Sequence, residues 1–271
     1  MDTPSSSSFA PNSGADAGAP ILEARGVQVV LGANPILTDV SFSVQPGEVV
    51  ALMGANGSGK STLIRTLLGI YKATSGTIKI FGADQGSANM PYSKIGYVPQ
   101  RVTPSFGVPA TALEVVRSGL ISRGSLFANY GRAAKTKAMN ALAMVGLAER
   151  ANDHVQIFSG GQAQRLAIAR ALVREPDLIM LDEPLAGVDA TSRAAVADIL
   201  EARRAAGVTM IIVLHEMGEL APLVSRVLYL EDGAIAFDGS PSELPDTVFM
   251  QPADHFFPRH HRHHAPRLTG N

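Results

Sequence analysis

Residues 54–61, Gly-Ala-Asn-Gly-Ser-Gly-Lys-Ser, constrain the fold of this chain more than any other stretch. They match G-x-x-x-x-G-K-[ST] in full, after a short apolar run at 48–53 and before a helical pattern at 61–68. A buried strand that feeds a glycine loop and then a helix is the setting this pattern needs. Glycines let the backbone curl until successive N–H groups point inward at phosphate oxygens, and the helix N-terminus adds partial positive charge. Gly54, Ala55, Asn56, Gly57, Ser58, Gly59, Lys60, Ser61 and Thr62 are therefore expected to cradle a nucleotide's phosphates. Lys60 can reach the β- and γ-phosphates, and the Ser61 hydroxyl can ligate Mg²⁺.

The rest of the chain supplies a sheet for that loop. Strand patterns fall at 21–30, 36–45, 77–81, 95–98, 177–181, 208–214, 226–231 and 234–237, with a Pro46-Gly47-Glu48 turn after the second. Helical spacing covers 111–119, 132–145, 158–173 and 192–206, and in the second of these Met139, Leu142 and Val145 share one side. Alternation of this kind predicts an α/β fold with a mostly parallel core sheet, an antiparallel portion near the N-terminus and a helical insertion at about 101–157. Residues 1–20, rich in Ser, Pro, Gly and Ala, are expected to be disordered, and they lack the basic start and apolar stretch of a secretory signal. The folded body is expected over 21–246, followed by a flexible tail at 247–271.

Composition narrows the chemistry. With 23 Lys+Arg against 24 Asp+Glu there is no case for a nucleic-acid partner. No cysteine is present, so a disulfide frame and Cys-ligated zinc or iron–sulfur centres are excluded. Although 46% of residues are hydrophobic, no run approaches the roughly 18–20 apolar residues of a membrane span, and the chain reads as soluble. Five of the seven histidines, His255, His260, His261, His263 and His264, cluster in the tail. Flexible imidazoles can gather around Zn²⁺ or Mn²⁺; the alternative is a solvated, partly cationic tail with no ligand.

A second half of the phosphate site lies at Leu178-Ile-Met-Leu-Asp182-Glu183. An apolar strand ending in a carboxylate presents that group at the C-terminal sheet edge, where ligands of such folds bind. Asp182 is expected to hold Mg²⁺, and Glu183 to polarise an attacking water as general base. Alone, a strand ending in Asp-Glu is common; beside a complete glycine loop it gains meaning.

Phe158-Ser159-Gly160-Gly161-Gln162 stands about twenty residues before Asp182, and here the chain resembles the ATP-binding-cassette (ABC) ATPases, whose signature is Leu-Ser-Gly-Gly-Gln. Phe158 replaces the leading Leu. Ser159 can cap the following helix while the glycines expose backbone amides. Gln100, in Tyr97-Val98-Pro99-Gln100, looks like the family's Q-loop glutamine, which senses Mg²⁺ or the attacking water. Asp189, in Ala186-Gly187-Val188-Asp189, resembles its D-loop, and His215 resembles its switch histidine at the γ-phosphate.

The resemblance covers residues 21–240 and implies a P-loop ATPase that hydrolyses ATP with Mg²⁺ in a head-to-tail homodimer. In such a pair the glycine loop, Gln100, Asp182, Glu183 and His215 of one copy face Ser159, Gly160, Gly161 and Gln162 of the other. Two further positions depart from the family. Leu31 stands where an aromatic ring often stacks on adenine, which removes a ring–ring contribution of about 1 kcal/mol. Leu185 stands where Thr or Ser usually follows Asp-Glu-Pro.

Only about a hundred residues separate the glycine loop from the signature, too few for the long coiled coils of chromosome and repair relatives. The chain also has one cassette rather than the two of translation factors, and no zinc cysteines like those of excision-repair relatives. It resembles the separate ATPase subunit of a bacterial importer, which implies permease subunits, a substrate-binding protein and a place on the cytoplasmic face of the membrane. Residues 96–101, 108–116 and 185–189 resemble the ATPases of zinc and manganese uptake systems. An importer of iron chelates or another small molecule, or a soluble ATP-dependent regulator without a permease, are the alternatives.

Overall fold

The computed structural model describes residues 18–100, 109–121 and 130–244. Residues 1–17 of the segment 1–20 expected to be disordered, part of the helical insertion and the histidine-rich tail lie outside the described residues.

Ten strands form one continuous sheet: β1 (Leu22–Leu31), β2 (Asn34–Val44), β3 (Val49–Met53), β4 (Ser75–Ile80), β5 (Ala83–Asp84), β6 (Ile95–Val98), β7 (Leu178–Asp182), β8 (Thr209–Val213), β9 (Arg226–Glu231) and β10 (Ala234–Gly239). The helices are α1 (Lys60–Leu67), α2 (Ala112–Ser118), α3 (Gly131–Met144), α4 (Gly160–Leu172) and α5 (Ala190–Ala205). Spatial order is β5-β4-β1-β2-β10-β9-β3-β8-β7-β6. From β9 through β3, β8 and β7 to β6 every pairing is parallel. On the other side, β1 pairs antiparallel with β2 and β4, and β4 with β5. The chain is thus an α/β fold with a parallel core, antiparallel N-terminal strands and a helical region.

Burial explains the strand patterns. Every residue of β3, β7 and β8 is buried, because helices cover both faces of the parallel core and leave no polar-facing side. Alternate residues enter opposite cores: Val49, Ala51 and Met53 join α2 to α5, whereas Val50 and Leu52 join Leu63, Ile64 and Leu67 of α1 beneath β1 and β2.

The insertion packs differently from its expected stripe. Leu142 and Val145 are buried, but Met139 is only partly so, and Ala134, Ala138 and Ala141 supply most of the inward face of α3. Small side chains let α3 approach α2 and α4 closely, a preference that aliphatic periodicity does not reveal. No helix among the described residues is long and apolar enough to cross a membrane.

Candidate nucleotide site

The glycine loop leaves β3 at the C-terminal edge of the parallel strands and enters α1. Gly54 has φ +145°, and a β-carbon there would overlap the Leu230 carbonyl oxygen of β9. At Gly59, φ is +107° and a β-carbon would lie 2.9 Å from Leu37 Cδ2 of β2. Both positions need glycine for conformation and for space. Gly59 also makes no side-chain cap for α1, so the first-turn amides are left without a side-chain acceptor.

Lys60 is buried, and its Nζ donates to the carbonyls of Gly54 at 2.7 Å and Ala55 at 2.8 Å. The ammonium therefore sits inside the loop that is expected to hold phosphate. Burial lowers its pKa, against the opposing pull of the Glu183 and Asp182 charges.

Asp182 ends β7 with no solvent exposure. Its Oδ1 accepts from Ser61 Oγ at 3.0 Å, while Oδ2 is buried without a hydrogen-bond partner among the described residues. Burial pushes this carboxyl upward; the Ser61 hydrogen bond opposes that shift, the Glu183 charge adds to it, and Arg65 and Lys60 oppose it. A buried orphan carboxylate oxygen beside a hydroxyl is unfavourable in an empty protein and suits a hard, oxygen-seeking cation. The donor set at Ser61 and Asp182 fits Mg²⁺.

Glu183 follows at φ +51°, a left-handed conformation that costs a non-glycine residue of order 1 kcal/mol or more. Its Oε2 accepts from Gln100 Nε2 at 2.6 Å, and its Oε1 lies 2.8 Å from His215 Nε2. The meeting follows from topology. β6, β7 and β8 are adjacent and parallel, and Gln100, Glu183 and His215 stand one or two residues beyond their respective ends. A cleft opens beside them, lined by Glu183, Leu185, Ala186, His215, Met217 and Glu219 among others.

Ser159 caps α4 through a reciprocal pair with Gln162: Gln162 N donates to Ser159 Oγ at 3.3 Å, and Ser159 N to Gln162 Oε1 at 3.0 Å. Ser159 and Gly160 are exposed, whereas Gly161 is buried against the start of α5, where a β-carbon would overlap Ser192. Asp189 caps α5 by accepting from Ser192 N at 2.9 Å, and that bond holds its carboxyl below the ordinary range. The structure thus gathers residues 54–62, Gln100, Asp182, Glu183 and His215 at one sheet edge. Ser159, Gly160, Gly161, Gln162 and Asp189 form a second group, and among the described residues no hydrogen bond joins Ser159–Gln162 to the loop. Leu31 ends β1 with its side chain exposed, on the hairpin whose Leu37 borders Gly59.

Two further residues bear on Asp182 and were not singled out from the sequence. Arg65 lies one turn beyond Ser61 on α1 and donates to Tyr71 Oη at 3.4 Å, and near it the Tyr97 hydroxyl has its pKa raised by burial and by the Asp182 charge. The i, i+4 spacing from Ser61 was the available signal. Among the described residues no group of three or more His, Asp or Glu side chains could hold a metal, and the five tail histidines lie outside them.

A glycine loop at the C-terminal edge of a parallel sheet, with a carboxylate pair at the end of β7 two strands away, defines a phosphate-loop nucleotide hydrolase. Residues 37–186 match the family described as ABC transporter, and the chain belongs to that family as an ATP-binding, ATP-hydrolysing subunit. It is 36% identical over 227 residues to the manganese transport system ATP-binding protein MntB of Bacillus subtilis, covering 84% of this chain and 89% of that protein. It is also 36% identical over 239 residues to a phosphonates import ATP-binding protein of Pseudomonas savastanoi, covering 82% and 85%. Among solved structures it superposes on the dimeric structure of a bacterial ABC transporter cassette with TM-score 0.69 and 29% identity, over 81% of this chain and 98% of that one. ABC cassettes of this kind dimerise and pair with the membrane components of transporters.

Proposed function

We propose that this chain powers an importer of a divalent transition metal, manganese or zinc, by hydrolysing ATP at the seams of a head-to-tail homodimer. The observation that carries the catalytic reading is Glu183, held between Gln100 and His215 beside the Asp182–Ser61 pair.

In this reading Lys60 exchanges the Gly54 and Ala55 carbonyls for phosphate oxygens, and the uncapped amides of α1 receive the same phosphates. Ser61 and Asp182 hold Mg²⁺, which neutralises charge on the phosphates when bound. Each Glu183 oxygen has one partner, Gln100 or His215, and keeps a further lone pair, with which it takes the proton of the attacking water. His215, freed from Glu183, can donate to the γ-phosphate. Ser159, Gly160, Gly161 and Gln162 offer a capped helix N-terminus to nucleotide in a second copy, with Asp189 at the adjoining turn, and Leu31 covers one face of the adenine.

Metal as cargo is supported by the manganese relative, by the likeness at residues 96–101, 108–116 and 185–189, and by the imidazoles of the tail. The chain would then sit on the cytoplasmic face of the membrane with permease subunits and a substrate-binding protein. Because a phosphonate importer is equally similar, the test compares cargoes directly. After deletion of the gene, cellular Mn and Zn content and uptake should fall while Fe content and growth on phosphonate stay unchanged. Loss of phosphonate growth with normal metal content would overturn the metal assignment. Failure to recover a multi-span partner from membranes would overturn the importer reading in favour of a soluble regulator.

A further inference from the structure

Phe158, the aromatic residue at the head of the signature, has a cation over its ring. The Arg150 guanidinium carbon stands 4.6 Å from the ring centroid, and Arg150 Nε donates to Asp153 Oδ2 at 2.7 Å. Phe158 is partly buried against the core that holds α2, α3 and α4, and Ser159, the α4 cap, follows it directly. The segment carrying Arg150 and Asp153 is fixed in turn to the start of α2. Ala112 N donates to the Asp153 carbonyl at 3.0 Å, Leu113 N to that of Ala151 at 2.9 Å, and Val155 N to that of Ala110 at 3.0 Å. A continuous path therefore runs from the entry of α2 through Asp153 and Arg150 to the ring beside Ser159.

We propose that Arg150 is a positioning residue for the signature turn, holding Phe158 and thereby the Ser159 cap and its amides in the orientation that receives nucleotide from a second copy. The proposal rests on the head-to-tail reading given above. A leucine at 158 offers no face to a cation, so the Arg150 contact is specific to the aromatic residue this chain carries. Asp153 keeps the guanidinium from swinging into solvent, and its carbonyl ties that hold to α2. Arg150 touches no nucleotide in this arrangement; it acts through Phe158.

The test uses the full chain in a Glu183→Gln background, in which ATP is expected to stay bound with turnover suppressed, and reads ATP-driven dimerisation by sedimentation together with fluorescent ADP binding to the monomer. Arg150→Met is expected to raise the half-saturating ATP for dimerisation about two- to fivefold, with monomer ADP affinity unchanged. Arg150→Lys, which keeps a cation over the ring, should recover most of the loss. Phe158→Leu should weaken dimerisation like Arg150→Met, and the double variant no further, because the contact is already gone. Fully additive effects, or dimerisation by Arg150→Met at the parental ATP concentration, would overturn the proposal even if both variants melt at lower temperature. Ser159→Arg separates the two levels. If it leaves ATP-driven dimerisation intact, the head-to-tail reading falls and this inference with it. If it abolishes dimerisation while Arg150→Met does nothing, only the role of Arg150 falls.

Discussion

His215 Nε2 lies 2.8 Å from Glu183 Oε1, and Gln100 occupies the other carboxylate oxygen at 2.6 Å. Each oxygen of the proposed base thus has a partner in the structure. Glu183→Gln keeps the shape and can still accept from Gln100, but it cannot take a proton. Turnover is expected to fall about 10²–10⁴-fold, the usual worth of a general base, with nucleotide binding retained. His215→Ala should also lose turnover and leave the Glu183 carboxylate with one partner. Steady-state phosphate release alongside fluorescent nucleotide binding separates these effects. Undiminished hydrolysis by Glu183→Gln would remove it as the base.

Burying the Asp182 carboxylate imposes a stability cost. Its carboxyl is fully buried with Oδ2 unpartnered, and burial raises its pKa above the unfolded value. A raised folded pKa means that the ionised form is disfavoured in the native state. Stability contributed by this group is therefore greatest at low pH and is lost as pH rises through the folded pKa. Asp182→Asn should accordingly stabilise the nucleotide-free protein at neutral pH, by about 1–3 kcal/mol if the orphan oxygen carries its full desolvation cost. The gain in Tm over the parent should shrink as pH falls. The same substitution should abolish Mg²⁺-dependent stimulation of ATP binding, and chelation of Mg²⁺ should mimic it in the parent. Equal melting of the two proteins across pH would show that Asp182 finds a partner in solution.

Gly161 is fixed by space rather than by conformation. Its φ is not in the left-handed region, so alanine would suit the helix and gain about 1 kcal/mol of propensity. Yet a β-carbon would overlap both Oγ and Cβ of Ser192, and rotation of Ser192 clears only the hydroxyl. Gly161→Ala is therefore expected to be net destabilising by about 1–3 kcal/mol, the usual range for forcing an extra methyl into a packed site. Ser192→Gly should rescue it. Denaturant unfolding of the single and double variants measures the coupling, and a double variant no more stable than Gly161→Ala would place the strain elsewhere.

Features that are contiguous in the chain, and whose mechanism fixes their spacing, are legible in the amino-acid sequence alone. The glycine loop after β3, Asp182-Glu183 at the end of β7 and the Ser159–Gln162 cap all stand where the residues place them. The parallel core is legible for a related reason, since strands covered on both faces read as unbroken apolar runs. Relationships between distant segments are not. Nothing local to Tyr71 says that its hydroxyl meets Arg65, or local to Arg150 that it covers Phe158. The alanine face of α3 escapes because aliphatic periodicity looks for large residues, whereas close helix approach selects small ones. The occupation of both Glu183 oxygens depends on the register of three adjacent strands.

The tail offers a last separation of roles. Residues 255–271 carry three Arg, no acid and five histidines, leaving 20 basic against 24 acidic groups in the rest of the chain. Imidazoles bind transition metals only when neutral, so any affinity of this segment should rise as pH passes about 6.5 and their protons leave. Truncation after Asp254 removes all five without touching the described residues. Calorimetric titration with Zn²⁺ at pH 7.5 and 5.5 is therefore expected to show tail-dependent binding only at the higher pH, with unchanged ATP affinity and Tm in the truncated protein. Equal zinc affinity with and without the tail would leave it as a solvated cationic segment, and the metal assignment would then rest on cargo measurements alone.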